Sequence, residues 1–221
     1  MKTMIAVKDL KKVYDYGLVK ALNGISFEIE EGEAVSIMGP SGCGKTTLLN
    51  LIGALDTPTA GEIWIGGKNI AKGEPMAVFR AKTIGFVFQF HHLVPNLSLV
   101  ENVELPMFSL PVSKRSRRDR AIALLKEMGL EERLNFLPTR VSGGERQRAA
   151  IARAMVNDPQ IILADEPTGS VDTAIGNRIL DFLISLCDQR KITMVVATHN
   201  HEVAAQTKRI IRMRNGLIEN G

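Results

Sequence analysis

The sequence predicts an α/β fold with a largely parallel sheet, an antiparallel β portion at the N-terminal end and a mostly helical insert at about residues 90–158. Three observations carry this reading. After residue 158, apolar strands rich in Ile, Val and Met alternate with helical segments, as in a parallel sheet covered on both faces. The first 35 residues instead read as short alternating strands broken by turns. Between these regions, helical spacing dominates. With 45% hydrophobic and 24% charged residues in a chain of 221, the balance is that of a globular domain able to bury a sizeable core.

Taken in order, Ile5-Ala6-Val7, Ala21-Leu22 and Ile25-Ser26-Phe27-Glu28-Ile29 read as antiparallel strands, with turns at Tyr16-Gly17 and Glu31-Gly32-Glu33. Residues 34–38 form a short apolar strand feeding a glycine-rich loop. Residues 45–55 follow with helical spacing of Leu48, Leu49, Leu51, Ile52 and Leu55. Residues 62–65 give a further strand, and 84–89 another, with Gly85 as its weak point. Pro95 and Pro106 interrupt 92–110, with Pro111 just beyond, around a helical segment at 99–105. Residues 115–128 look amphipathic, with Ile122, Leu124, Leu125 and Met128 on the apolar side and Gly129 as the stop. Ser142 is placed to cap a helix running through Arg153. Strands at 161–164, 193–198 and 209–213 then alternate with helices at 177–188 and 201–207, and Asn215-Gly216 makes a turn.

Composition excludes several classes. The net charge of +4 is mild, and aromatics are 5% with no stacking pattern, which argues against nucleic acid as a partner. The densest basic run, Lys114-Arg115-Ser116-Arg117-Arg118-Asp119-Arg120, reads either as a solvated helix start or as a contact for anionic headgroups or an acidic surface. Cys43 and Cys187 are far apart with no metal-ligand spacing, and the four histidines show no zinc pattern. A reduced cytoplasmic protein is expected. No apolar run approaches the ~20 residues of a membrane-crossing helix, so any membrane role needs a second polypeptide to span the bilayer.

The chemistry concentrates in a few places. Gly39-Pro40-Ser41-Gly42-Cys43-Gly44-Lys45-Thr46 has the spacing G-x-x-x-x-G-K-[ST], set after a strand and opening a helix. Its glycines let backbone N–H groups turn inward around phosphate oxygens, Lys45 can reach the β- and γ-phosphates, and the Thr46 hydroxyl can sit on Mg²⁺. Thr47 is placed to reach the α-phosphate region. Asp165 and Glu166 end the apolar strand Ile161-Ile162-Leu163-Ala164, so Asp165 can hold Mg²⁺ while Glu166 polarises the attacking water and accepts its proton. His199 follows another apolar strand, where it can bond the γ-phosphate. Gln89 ends a third and can complete the Mg²⁺ or water shell. Val141-Ser142-Gly143-Gly144-Glu145-Arg146-Gln147 is glycine-rich and opens with a small hydroxyl residue.

On these residues the chain closely resembles the ATP-binding cassette (ABC) nucleotide-binding subunits, over about residues 4–218. Gly39 to Thr46 matches Walker A, Gln89 the Q-loop, Ser142 to Gln147 the signature, Asp165 and Glu166 Walker B with its catalytic glutamate, Ser170-Val171-Asp172 the D-loop and His199 the switch histidine. Tyr14 matches the aromatic that stacks on adenine. The stretches Ile84-Gly85-Phe86-Val87-Phe88-Gln89, Asn102-Val103-Glu104-Leu105-Pro106 and Ala164-Asp165-Glu166-Pro167-Thr168-Gly169 are most similar to the lipoprotein-release, macrolide-export and cell-division branch. Glu145 stands where the signature usually has glutamine, Arg140 and Val141 replace the usual glutamine and leucine, and Ser170-Val171 replaces Ala-Leu. These departures bear on rate and remove no catalytic group.

The resemblance implies a P-loop NTPase core of ABC type, with residues 1–90 and 159–221 as the α/β core and its antiparallel β subdomain, and 91–158 as the helical subdomain. It implies a Mg²⁺-dependent ATPase that pairs head to tail with a second copy. Each ATP would lie between Walker A of one chain and Ser142, Gly143, Gly144 and Glu145 of the other. The implied partner is an integral membrane permease with few helices and a large external domain, and the implied place is peripheral, on the cytoplasmic side of the inner membrane. Residues 90–97 would line a groove for a permease helix, with Phe88 in the core. A soluble ABC ATPase serving a non-membrane partner is the alternative.

Overall fold

The structure, a computed structural model, describes residues 2–72, 75–169 and 173–219. In chain order its strands and helices are β1 (Thr3–Tyr14), β2 (Val19–Glu30), β3 (Ala34–Met38), α1 (Lys45–Ile52), β4 (Ala60–Ile65), β5 (Lys68–Asn69), α2 (Met76–Thr83), β6 (Ile84–Phe88), α3 (Leu99–Glu104), α4 (Lys114–Glu127), α5 (Gly143–Met155), β7 (Ile161–Asp165), α6 (Thr173–Arg190), β8 (Thr193–Thr198), α7 (His201–Ala205), β9 (Arg209–Arg214) and β10 (Leu217–Ile218). Among the described residues no helix is long and apolar enough to cross a membrane. The chain divides into two compact units, residues 1–76 with 186–221, and residues 77–185.

In the first unit, β1 pairs antiparallel with both β2 and β4, and β4 with β5. The three short pieces read from the sequence are thus parts of two twelve-residue strands. Ile5, Val7 and Leu10 of β1 and Leu22, Ile25 and Ile29 of β2 lie in the core, and shifts of register such as that between Val7 and Leu10 carry the inward face past a strict two-residue period. The register shifts along this pair explain why the sequence reads as separate short pieces. β3 lies between β8 and β9, parallel to both, and β10 pairs antiparallel with β9. Every residue of β3 and β8 is buried, the continuous apolar signature of a strand covered on both faces. Helix α1 stops at Ile52, not at Leu55. Gly53 N–H bonds back to Leu49, Ala54 takes a left-handed φ of 52°, and Leu55 N–H reaches the Asn50 carbonyl at 2.8 Å, a closing turn that satisfies the last carbonyls.

In the second unit β6 and β7 run parallel, from Ile84 beside Ile161 to Phe88 beside Asp165. Gly85 is where α5 comes closest. A Cβ there would lie 2.3 Å from the Ala154 carbonyl oxygen, so only glycine admits the helix backbone against the strand. Helices α3, α4 and α5 share a core of Leu99, Val100, Val103, Ala121, Leu125, Ala149 and Ile151. The inward stripe of α4 is Ala121, Leu125 and Met128, at i, i+4 and i+7, and Ile122 and Leu124 are only half-buried. Asn102 is fully buried; its amide donates to the carbonyls of Val94, Leu97 and Ser98 while its oxygen accepts from Val94 N–H at 2.7 Å, and this shapes the proline-interrupted stretch. Much of the basic run is engaged locally. Arg117 lies 4.3 Å over the Phe108 ring and donates to the Val112 carbonyl, and Arg118 pairs with Glu104 at 3.2 Å.

Candidate functional site

In the first unit, the register of the parallel strands places the phosphate loop. Met38 sits beside Thr198, so Gly39 and His199 emerge side by side from the same edge of the sheet. Gly42 and Gly44 take φ of 79° and 105°, a left-handed region where glycine meets no steric penalty. At Gly39 a Cβ would lie 2.2 Å from the Met213 carbonyl oxygen, and at Gly44 2.5 Å from that of Ala21. The glycine spacing is therefore a packing requirement as well as a motif. Gly44 caps α1 with no side-chain hydrogen bond, unlike α3, α4 and α5, which Ser98, Ser113 and Ser142 cap. The first N–H groups of α1 thus have no capping side-chain oxygen, an arrangement that suits an anion.

Ser41, Gly42 and Thr46 are exposed at this loop, and Thr47 is half-exposed. Lys45 is buried, its ammonium donating to the carbonyls of Gly39 at 2.7 Å and Pro40 at 3.0 Å. Cys43 is also buried, with its sulfur 4.0 Å from that ammonium and its N–H bonded to the Pro40 carbonyl. Cys187 is a packing residue, and burial pushes its thiol up to about 12. His199 is exposed and, with Gly39, Pro40, His201, Arg212 and Arg214, lines a cleft of about 420 Å³. Tyr14 ends β1 half-buried, its hydroxyl donating to Asp56 Oδ2 at 2.8 Å. Burial and the Asp56 carboxylate both raise its ionisation above the usual phenol range.

In the second unit, the pairing of Phe88 with Asp165 brings the start of the Gln89 segment beside the acidic pair. Gln89 Nε2 lies 3.5 Å from the Gly169 carbonyl, just past Glu166. Glu166 takes a left-handed φ of 46°, a strained setting typical of functional turns, and its carbonyl accepts from Gly169 N–H. Phe88, expected in the core, is half-buried because it shares the less covered face of β6 with Phe86, where its ring stacks on Phe86 at 5.5 Å and meets His92 at 4.7 Å; Phe90 is exposed.

Ser142 caps α5 through a capping box. Its hydroxyl accepts from Glu145 N–H, and the Glu145 carboxylate accepts from Ser142 N–H at 2.8 Å. That backbone bond, with help from the Ser142 side chain and Arg133, holds the Glu145 carboxyl below the usual carboxylate range against the opposing effect of burial. Ser142 is exposed and Gly143 half-exposed, whereas Gly144 is buried against Ile175. Fully buried Gln147 ties α5 to the Pro167 carbonyl at 2.8 Å. Asp172, with Ser170 and Val171, lies outside the described residues.

The ABC transporter family model matches residues 22–169, from within β2 through the acidic strand. The chain belongs to that family. The lipoprotein-releasing system ATP-binding protein LolD of Syntrophus aciditrophicus is 43% identical over 219 residues, covering 97% of this chain and 98% of that one. The macrolide export ATP-binding/permease protein MacB of Hyphomonas neptunium is 44% identical across 97% of this chain, which spans 34% of MacB. Among solved structures, the dimeric post-hydrolysis state of the ATP-binding cassette MJ0796 bound to ADP and Pi superposes with a TM-score of 0.88 at 43% identity, covering 98% of this chain and 97% of that one. The ABC assignment and the α/β class read from the motifs therefore hold, and the chain is an ATP-hydrolysing subunit of an ABC transporter that uses ATP with Mg²⁺.

Three residues of these arrangements escaped the sequence. Lys12 and Asp56 hold Tyr14, and Arg153 donates to the carbonyls of His91 and His92 at 2.6 Å each. Lys12 is two residues before Tyr14 and so shares its face of β1, the one signal available.

Proposed function

We propose that two copies close head to tail on ATP and so drive a permease of few helices with a large external domain, at the cytoplasmic side of the inner membrane, in lipoprotein release, drug or peptide export, or mechanotransmission. The observation that carries this is the near end-to-end likeness to LolD, together with the likeness to the ATPase part of MacB. Residues 1–90 and 159–221 would form the core and 91–158 the helical subdomain. Exposed Phe90 and Val94 supply apolar surface for a permease helix.

In this reading the glycine loop suits phosphate, because Gly42 and Gly44 take left-handed φ and α1 opens behind them with no side-chain cap. Lys45 binds the β- and γ-phosphates, and Thr47 lies near the α-phosphate. Tyr14 stacks on adenine. Ser142, Gly143, Gly144 and Glu145 present an N–H-rich helix start to the partner copy's ATP, with Asp172 in support. The Thr46 hydroxyl, the Gln89 amide oxygen and the Asp165 carboxylate are the hard oxygen donors that suit Mg²⁺, which when bound neutralises charge on the phosphoryl oxygens. Glu166 takes the proton of the attacking water, and His199 orients the γ-phosphate and water. Loss of the γ-phosphate then loosens the interface.

The experiment is purification of tagged Glu166→Gln protein from its native cells in mild detergent with Mg-ATP, with the copurifying proteins identified by mass spectrometry. A few-helix membrane protein with a large external domain is expected. Recovery of the homodimer alone, with ATP bound, would count against the permease.

A further inference from the structure

The residues that follow Tyr14 do little to fix its ring. Asp15, Tyr16 and Gly17 have φ of 51°, 53° and 106°, and Tyr16 and Leu18 project fully into solvent. Side chains hold the ring instead. Asp56, four residues past the end of α1, uses both carboxylate oxygens: Oδ2 accepts the Tyr14 hydroxyl at 2.8 Å and Oδ1 accepts the Lys12 ammonium at 2.7 Å. That ammonium also donates to the Thr57 carbonyl at 2.8 Å and lies 4.8 Å over the Tyr14 ring. Three side chains thus close a ring of contacts. Lys12 is 9% exposed, so this is a part-buried clamp and not a fleeting surface pair. Lys12 takes one face of the ring, so a stacking partner would take the other.

We propose that Lys12 and Asp56 are positioning residues for nucleotide binding: they hold the Tyr14 ring in register with the phosphate loop, so that the ring meets the base without first being ordered. This rests on the reading that Tyr14 stacks on adenine. The cost of immobilising the ring is met on folding, and the clamp therefore acts on affinity. Its effect is confined to ligands that carry a base. Lys12 and Asp56 bond each other, Tyr14 and Thr57, and in this proposal act only through Tyr14.

The test compares ATP with inorganic tripolyphosphate, which has the phosphates and no base, by calorimetric titration, alongside steady-state KM and kcat. Tyr14→Ala is expected to weaken ATP binding about tenfold, within the range for loss of base–aromatic stacking, with tripolyphosphate within about twofold. Asp56→Ala should weaken ATP about three- to fivefold, again sparing tripolyphosphate, and should raise KM more than it lowers kcat. Asp56→Asn, which keeps an acceptor for the phenol, should recover part of the loss. In the Tyr14→Ala background, Asp56→Ala should add nothing, because the residue it positions is gone. Equal weakening of tripolyphosphate and ATP by Asp56→Ala, an unchanged ATP affinity, or full additivity with Tyr14→Ala would each overturn the clamp while leaving the stacking reading intact. An unchanged ATP affinity in Tyr14→Ala itself would instead overturn the stacking reading and the clamp with it.

Discussion

Gly85→Ala is a small change with a large expected effect, and the structure gives its size. Gly85 lies in β6 with no left-handed backbone requirement, so the cost of a methyl there is purely one of space. Its Cβ would sit 2.5 Å from Ile162 Cδ1 and 2.3 Å from the Ala154 carbonyl oxygen. The first neighbour is the end of a flexible side chain and can rotate away. The second is backbone of the last turn of α5, which moves only with the helix. Restoring an ordinary contact of about 3.5 Å demands that α5 move off the strand by roughly 1 Å. Overpacking of this kind costs about 1–3 kcal/mol. For a chain of this size that lowers Tm by about 3–10 °C in a calorimetric scan. Gly129→Ala is the control. Gly129 has φ of 67° with nothing within 4 Å, so a methyl there strains only the backbone, at about 1 kcal/mol. Gly85→Ala should be the more destabilising of the two. If it melts at or above Gly129→Ala, the close approach of α5 to β6 is not what the glycine serves.

Lys45→Ala should lose most ATP affinity in equilibrium binding and leave Tm nearly unchanged, because the ammonium makes only loop contacts in the fold. Ser142→Ala should leave nucleotide binding by the isolated copy intact while cutting steady-state hydrolysis, and should cost about 1 kcal/mol of stability from the lost cap. Arg153→Lys should destabilise the fold by about 2 kcal/mol in urea unfolding, since one ammonium cannot serve both carbonyls in the guanidinium's geometry. The Glu145 carboxyl is held below its usual range, so its contribution is complete at neutral pH and lost as pH falls through the depressed folded value. The Tm difference between wild type and Glu145→Gln, worth about 0.5 kcal/mol at pH 7, should therefore shrink in acid.

What could be read in advance follows from how local each signal is. The glycine-rich loop stood out because its glycines and Lys45 lie within eight residues, and the structure adds why Gly39 and Gly44 admit no side chain. β3 and β8 were legible because burial on both faces makes them apolar throughout. α2 was not, since Met76–Thr83 buries no residue and leaves no periodic trace. The inner face of α4 was misjudged because Ile122 and Leu124 outrank Ala121 in hydrophobicity, while the interior selected the residue small enough to fit. Gly85 looked like a weakness by propensity and is instead where two backbones meet. Lys12 and Asp56 are 44 residues apart, and no pattern within either strand or helix announces that they pair.

Arg153 shows the same limit at the site itself. Burial lowers its ionisation to about 10, a measure of how poorly water reaches the guanidinium. Its bonds go to the carbonyls of His91 and His92, consecutive non-glycine residues with left-handed φ of 62° and 47°. Each such residue costs about 1–3 kcal/mol and persists only where its surroundings over-determine it. The determinant here is a cation fixed on α5. The bend that follows Gln89 is thus held by the same helix that presents Ser142 at its start and is tied by Gln147 to the turn after Glu166. The segments carrying Gln89, Glu166 and Ser142 are therefore bonded to one helix, and a displacement of α5 would move all three together. A helix so placed has reason to be bonded by a side chain whose two parallel donors fix orientation as well as distance, which is what arginine offers and lysine does not.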